Sequence, residues 1–172
     1  MSVLRFSSRI SQFKKIDIAY LTKHKLMFHK LSKDGSGKCD IYETNDQNDK
    51  VYGVLYRIDK RDELTLDGFE GFNYGYDKKI IDVINSAGDQ LKAMTYFATN
   101  IDNSLKPYNW YKYHVLFGAI ENHLPYEYIS NIESVDSIID KDSKRVLKEL
   151  SIYHNTFLLL ILFHLPQLHF GV

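Results

Sequence analysis

Residues 51–58 read Val-Tyr-Gly-Val-Leu-Tyr-Arg-Ile, a nearly continuous apolar run with one charge. The β-branched and aromatic residues in this run favour a β-strand. Such a run is typical of a strand that is buried on both faces or that lies inside a barrel. The run therefore predicts a fold in which further strands surround this one.

The other patterns place strands early in the chain and most helices late. Short β-rich segments bounded by polar or glycine-containing turns predict strands at residues 16–20, 25–30, 39–44, 78–85 and 90–98. Helical spacing and capping residues predict helices at residues 3–11, 61–67, 110–122, 126–132 and 137–150. Strands followed by helices indicate an α+β fold, and many short strands joined by tight turns can close a small barrel.

The composition fits one domain in a reducing compartment. A chain of 172 residues has room for one domain, which we expect at residues 1–150. The 22 basic and 22 acidic side chains give a net charge of zero, so no nucleic-acid partner or anionic membrane is indicated. The single cysteine, Cys39, excludes an intrachain disulfide. Because the start also lacks the apolar stretch of a signal peptide, we expect a cytoplasmic protein.

An apolar tail follows the domain at residues 151–172. Its most apolar part, residues 157–165, is too short for a membrane span, which needs about 20 apolar residues. The sequence leaves three alternatives for the tail: a buried helix turn, an interface patch, or an incorrectly assigned C-terminus.

Glu70 has the sequence surroundings that most suggest chemistry. It lies between Phe69 and Gly71, in a stretch with further aromatic residues. A carboxylate held against aromatic side chains loses hydration, which suits a group that accepts a proton and returns it near neutral pH. The adjacent glycines allow backbone and ligand to approach closely. From these residues alone, a surface glutamate at the end of a short helix is the slightly better interpretation.

Other candidate motifs have simpler explanations. The segment Asp34-Gly-Ser-Gly-Lys38 lacks the glycine spacing of a phosphate-binding loop and predicts a hairpin turn. Cys39 has no neighbouring histidine and is interpreted as a buried structural thiol. The spacing of the histidines does not favour a metal site. Tyr111 lies in the first turn of a predicted helix, where aromatic packing is a simpler interpretation than a hydroxyl directed into a pocket.

Four segments together resemble the γ-glutamylcyclotransferase-like (AIG2-like) family. Residues 51–59 are similar to the strand that leads into its active-site helix, and residues 66–76, Leu-Asp-Gly-Phe-Glu-Gly-Phe-Asn-Tyr-Gly-Tyr, resemble its Leu-Asp-x-x-Glu-Gly…Gly-Tyr motif. Residues 94–96, Met-Thr-Tyr, resemble a later strand. Residues 111–125 are similar to its Tyr…Gly-Ala-x-Glu-x-x-Leu-Pro segment. The resemblance implies a small mixed β-barrel flanked by helices.

The resemblance also implies roles for individual residues. Glu70 falls on the family's catalytic acid/base, and Tyr76 and Tyr111 fall on tyrosines that line the substrate pocket. The family's reaction is the intramolecular cyclisation of a γ-glutamyl amino acid or amine to 5-oxoproline, with release of the amine. The implied partner is a small γ-glutamyl substrate, and the chemistry requires neither a metal nor an organic cofactor.

The sequence leaves other functions open beside this cyclotransferase activity. They are a γ-glutamylamine cyclotransferase, a non-catalytic module that binds γ-glutamyl compounds or amino acids, and an interaction protein that uses the apolar tail. The oligomeric state is also open, with a homodimer among the options.

The chain departs from the family pattern at its start. The family's first strand and its Tyr-Gly-Ser-Asn loop, whose amides hold the substrate, do not occur in the sequence. Residues 1–4, Met-Ser-Val-Leu, resemble the segment directly after that loop, so we expect either a start at an internal Met or a shortened relative. Losing an oxyanion donor typically costs about 10²–10³-fold in rate. We therefore expect the 172-residue chain to be weak or inactive and an extended chain to be active.

Overall fold

The computed structural model describes residues 2–153. In chain order, its strands are β1 (Phe13–Thr22), β2 (His24–Leu31), β3 (Gly37–Glu43), β4 (Lys50–Ile58), β5 (Tyr76–Asn85) and β6 (Gln90–Ala98). Its helices are α1 (Val3–Ser7), α2 (Lys60–Glu70), α3 (Asn109–Glu121), α4 (Tyr126–Ser134) and α5 (Ser143–Leu150), followed by a 3₁₀ turn at Ser151–Tyr153.

The strands form two antiparallel sheets, with strand order β4–β1–β5–β6 in one and β2–β3 in the other. The sheets are joined at their edges. The backbone N–H of Leu31 donates to the carbonyl of Asn100 at 2.9 Å, and the N–H of Ala98 donates to the buried Asp40 carboxylate at 2.7 Å. The α+β fold class expected from the sequence is confirmed. In the described residues the strands make two joined sheets, and no ladder of hydrogen bonds closes them into one ring.

Strand β4 lies at the edge of its sheet, whereas the sequence predicts a strand that is buried on both faces or lies inside a barrel. It pairs with β1 alone in that sheet, and Val51 is its one fully buried residue. Tyr52 and Tyr56 are half-buried and pack against two apolar clusters. Strand β2 and helices α1 to α4 therefore share the cover that the apolar run was expected to receive from neighbouring strands.

Two apolar clusters hold the helices against the sheets. The first joins β2 to α3 and α4 through Phe28, Ala119, Leu124 and Ile132. The second joins the α1 region to α2 through Phe6, Ile10 and Leu66. The Phe6 ring also stacks on Tyr56 of β4, with centroids 4.1 Å apart. Because burial of one large apolar side chain contributes about 1.5–3 kcal/mol, these few contacts are enough to fix α1 and α2 beside β4.

The helix expected at residues 137–150 begins later, at Ser143. The segment before it is extended and pairs with the start of α3. The N–H of Asn109 donates to the carbonyl of Ile138, and the N–H of Ile138 donates to the carbonyl of Pro107, each at 2.9 Å. The Asp142 side chain then caps α5 by accepting a hydrogen bond from the N–H of Arg145 at 3.1 Å. An aspartate at this position stops helix growth toward the N-terminus, which the periodicity of the sequence alone does not show.

The expected apolar tail lies almost entirely outside the described residues. Of residues 151–172, the structure describes 151–153, where Tyr153 is fully buried and its hydroxyl lies 2.8 Å from Nδ1 of His114 in α3. None of the helices in the described part of the chain is long and apolar enough to span a bilayer.

Candidate active site

Glu70 is the last residue of α2, and its side chain is turned inward. Gly71 ends the helix with a φ of +74°, in the left-handed region that glycine enters without strain. The N–H of Gly71 donates to the carbonyl of Asp67 at 3.0 Å, which closes the last turn. The Glu70 side chain is 21 % exposed and lines a cavity. Glu70 therefore does end a short helix, as one interpretation of the sequence had it, but it is not a freely solvated surface residue.

The cavity has a volume of about 570 Å³ and is lined by residues from both sheets, α2 and α3. Glu70, Tyr76 and Tyr111 all line it, although they come from three different elements. Its volume lies within the range of about 300–1,000 Å³ that is typical of ligand pockets. A second concavity of about 560 Å³, between β2 and α4, contains none of these three residues.

Arg9 forms an ion pair with Glu70 at the cavity wall. Its Nη1 lies 2.5 Å from Oε1 of Glu70, and its side chain is 15 % exposed. The guanidinium also lies over the ring of Phe69, 5.5 Å from its centroid. Phe69 itself is 54 % exposed, so an arginine rather than a closed aromatic shell surrounds this carboxylate. The ion pair fixes the orientation of Glu70 toward the cavity.

Tyr76 and Tyr111 both form hydrogen bonds with the backbone of Cys39. The Tyr76 hydroxyl donates a short hydrogen bond to the carbonyl of Cys39, and the N–H of Cys39 donates to the Tyr111 hydroxyl at 3.1 Å. Burial raises the pKa of both phenols well above their usual value, so both are neutral at physiological pH. Two walls of the cavity are thus fastened to β3 through one residue.

Cys39 lines the cavity and is half-buried. Burial raises the pKa of its thiol to about 12, so almost none of it is thiolate near neutral pH. The interpretation of Cys39 as a structural residue stays a prediction.

The Asp34-Gly-Ser-Gly segment connects β2 to β3 as the expected hairpin turn. The Asp34 carboxylate accepts hydrogen bonds from the N–H of Ser36 at 3.0 Å and from Nζ of Lys38 at 2.8 Å. Lys38 is thereby held in the cavity wall, with Nζ 4.7 Å from the centroid of the Tyr111 ring. Burial lowers the pKa of this lysine, while the bond to Asp34 opposes that effect.

Asp40, which lines the cavity, forms a buried pair with His29. Nε2 of His29 lies 2.9 Å from one Asp40 oxygen, and the other oxygen accepts the N–H of Ala98. Asp40 thereby links β3 to β6 of the other sheet, and Nδ1 of His29 lies 2.9 Å from Oδ1 of Asn103. Within residues 2–153, no group of three or more His, Cys, Asp or Glu side chains is arranged to hold a metal ion.

Part of the chain is similar to known proteins. The model of the AIG2-like family matches residues 50–132, a segment that contains Glu70, Tyr76 and Tyr111. Curated γ-glutamylcyclotransferases of Bos taurus and Mus musculus are similar to this chain, with 32 % identity over 101 residues and 34 % over 89 residues. Over residues 50–132 the chain is similar to the AIG2-like family. The resemblance seen in the four sequence segments is therefore confirmed.

The extent of these matches differs between sequence and fold. The two alignments cover 58 % and 51 % of this chain, and the chain spans about half the length of the curated relatives it matches, 52 % and 47 %. A solved γ-glutamyl cyclotransferase has the same fold, with a TM-score of 0.74 at 23 % identity, covering 86 % of this chain and 92 % of that one.

The sequence did not point to two further cavity residues, Arg9 and Lys30. Arg9 comes from the segment after α1, whose charges show no clear period, and it meets Glu70 across 61 positions of sequence. Lys30 ends a strand pattern in which it looks like an ordinary solvent-facing residue. Both positions depend on tertiary contacts, so no local pattern in the sequence identifies them.

Proposed function

We propose that this chain acts as a γ-glutamylcyclotransferase, which cyclises a γ-glutamyl amino acid or amine to 5-oxoproline and releases the amine. The observation that carries the proposal is that Glu70, Tyr76 and Tyr111 line one cavity of ligand size. The names of the curated relatives support the same activity.

The reaction is an internal displacement. The α-amine of the substrate attacks its own γ-carbonyl, a C–N bond closes the five-membered ring, and the bond to the leaving nitrogen breaks. Because the nucleophile is already tethered, the main task of the cavity is to hold the substrate in a folded conformation. The rings of Tyr76 and Tyr111 would provide rigid walls for this, since their hydroxyls are fixed on Cys39.

Glu70 would move the proton. Its carboxylate accepts a proton from the α-amine during attack and then gives it to the leaving nitrogen, so no net proton is consumed. A general acid/base of this kind contributes about 10²–10⁴-fold to the rate. Arg9 would act as a positioning residue, since it holds one oxygen of Glu70 at the cavity wall.

The test is the release of 5-oxoproline from γ-glutamyl-alanine by the full chain, compared with Glu70→Gln. We expect the variant to lose at least about 100-fold in rate, because Gln keeps the shape and cannot shuttle a proton. Glu133→Gln, at an exposed position in α4, is the matched control and should keep full activity. Equal rates for the wild type and Glu70→Gln would exclude this role for Glu70.

A binding measurement on the same protein separates the remaining alternatives. Thermal stabilisation of the wild type by γ-glutamyl-alanine without any release of 5-oxoproline would indicate a non-catalytic binding module rather than an enzyme. Turnover of γ-glutamyl-ethylamide in preference to γ-glutamyl-alanine would instead indicate a γ-glutamylamine cyclotransferase.

A further inference from the structure

Lys30 is a buried cation in the cavity that contains Glu70. It lies near the end of β2, two positions after Phe28, and only 7 % of the residue is exposed. Lysine is almost never buried to this extent without a partner, because removing an ammonium group from water is costly. Its position therefore requires an explanation.

The backbone of Gly75 and the ring of Tyr76 hold the Lys30 side chain in place. Nζ lies 4.7 Å from the centroid of the Tyr76 ring, a geometry suited to a cation–π contact. A Cβ at Gly75 would lie 2.9 Å from Cε and 3.2 Å from Nζ of Lys30, so the lysine lies directly across a glycine. A side chain at position 75 would displace the ammonium group from this position.

The other cations that line the cavity each have a carboxylate partner. The ion pairs are Arg5–Glu149 at 3.0 Å, Arg9–Glu70 at 2.5 Å, Lys38–Asp34 at 2.8 Å and Arg145–Asp140 at 2.5 Å. Within residues 2–153, no carboxylate is in ion-pair contact with Lys30; Asp34 and Glu70 attract it only from a greater distance. Burial and the neighbouring Lys38 lower the pKa of Lys30, as expected for an ammonium group without a contacting anion.

We propose that Lys30 binds a carboxylate of the ligand in this cavity. A charged hydrogen bond to a carboxylate would satisfy the ammonium group, and such bonds are about twice as strong as neutral ones. The choice of ligand rests on the proposed function: a γ-glutamyl dipeptide carries one carboxylate on its glutamyl part and one on its leaving group. Lys30 would then select for ligands that carry the carboxylate it binds.

The test uses three ligands that lack the α-amine and therefore cannot cyclise. Glutaryl-alanine has both carboxylates, butanoyl-alanine lacks the one on the glutamyl side, and glutaryl-ethylamide lacks the one on the leaving group. Dissociation constants are measured by NMR titration of the full chain and of the variants Lys30→Met and Lys30→Gln, whose amide spectra also report whether they are folded. Lys33→Met is the matched control, because Lys33 is exposed and lies over the ring of Tyr74, 5.7 Å from its centroid.

We expect both Lys30 variants to bind glutaryl-alanine about 10- to 100-fold more weakly, and Lys33→Met to bind it as the wild type does. The effect should vanish with one of the two shortened ligands, and that ligand identifies the carboxylate that Lys30 binds. An equal loss for all three ligands, no loss for glutaryl-alanine, or no binding of glutaryl-alanine by the wild type would overturn the proposal. Because none of these ligands is turned over, the outcome is independent of whether 5-oxoproline is released.

Discussion

Replacing Gly37 by alanine should destabilise the protein strongly. Gly37 is the first residue of β3 and is buried opposite Leu31 of β2. A Cβ built there lies 2.0 Å from the carbonyl oxygen of Phe28, about 1.4 Å closer than the 3.4 Å at which ordinary contact begins. The obstacle is backbone, so a side-chain rotation cannot remove it, and the two strands must separate by more than 1 Å.

The size of the effect depends on the hydrogen bonds that such a separation breaks. The bond from the N–H of Gly37 to the carbonyl of Lys106, now 3.0 Å, and the adjacent ladder bonds to β2 would be lost or weakened. At about 1 kcal/mol for each of two or three bonds, with some repacking, the free energy of unfolding should fall by about 3 kcal/mol. For a protein of this size, that corresponds to a fall in Tm of about 6–12 °C.

Thermal unfolding followed by circular dichroism measures this effect, and Gly53→Ala is the control. Gly53 lies in β4, has no positive φ and has nothing within 4 Å of a built Cβ, so its substitution should change Tm by no more than about 3 °C. Both variants stiffen the unfolded chain equally, so their difference isolates the steric contact in the folded state. If Gly37→Ala melts within about 2 °C of Gly53→Ala, the close approach of the two strands is wrong.

Two further predictions concern titratable groups away from Glu70. The hydrogen bond from His114 is the main cause that lowers the pKa of Glu149 to about 2 from its ordinary 4.5, so its stabilisation is complete above pH 4.5 and is lost as the pH falls through 2. In urea unfolding, Glu149→Gln should lower the free energy of unfolding by about 1–2 kcal/mol at pH 7, a range that allows for the 28 % exposure of the side chain. The free energy of unfolding of the variant should also depend less on pH between 5 and 2. Unchanged stability at pH 7 would argue against the contact. Burial raises the pKa of the Cys39 thiol to about 12, so iodoacetamide at pH 8 should label this thiol at least about 100-fold more slowly in the native protein than in urea. Rapid labelling of the native protein would contradict the burial of the thiol.

The sequence predicted most secondary structure because its strands and helices carry local signals. The strand expected at residues 90–98 is β6, and the helices expected at 110–122 and 126–132 are α3 and α4 within a few residues. The helix start at Ser143 was missed because the bridge at Ile138 depends on a contact with Tyr108, just before α3, and because the local cap at Asp142 was not read from the sequence. The burial of β4 was overestimated because an apolar run shows that a strand is covered but not how completely, and Val51 is its one fully buried residue.

The candidate site was only partly accessible from the sequence. Glu70, Tyr76 and Tyr111 were identified through the motif resemblance, and the structure brings all three to one cavity. Arg9 and Lys30 were not identified, because the contact of Arg9 with Glu70 and that of Lys30 with Gly75 join distant parts of the chain. The charge balance of the cavity is a tertiary property that no single segment encodes.

The attachment of two tyrosines to the backbone of Cys39 has a consequence for the size of molecules that fit. β3 cannot move away from either tyrosine without breaking a hydrogen bond to this residue, and moving away from both breaks two at once. At about 1 kcal/mol for each bond, a ligand so wide that it pushes β3 away from the tyrosines would lose about tenfold or more in affinity. The chamber should therefore discriminate sharply by width between Tyr76 and Tyr111, and chemical variety among accepted molecules should be found along its other axes.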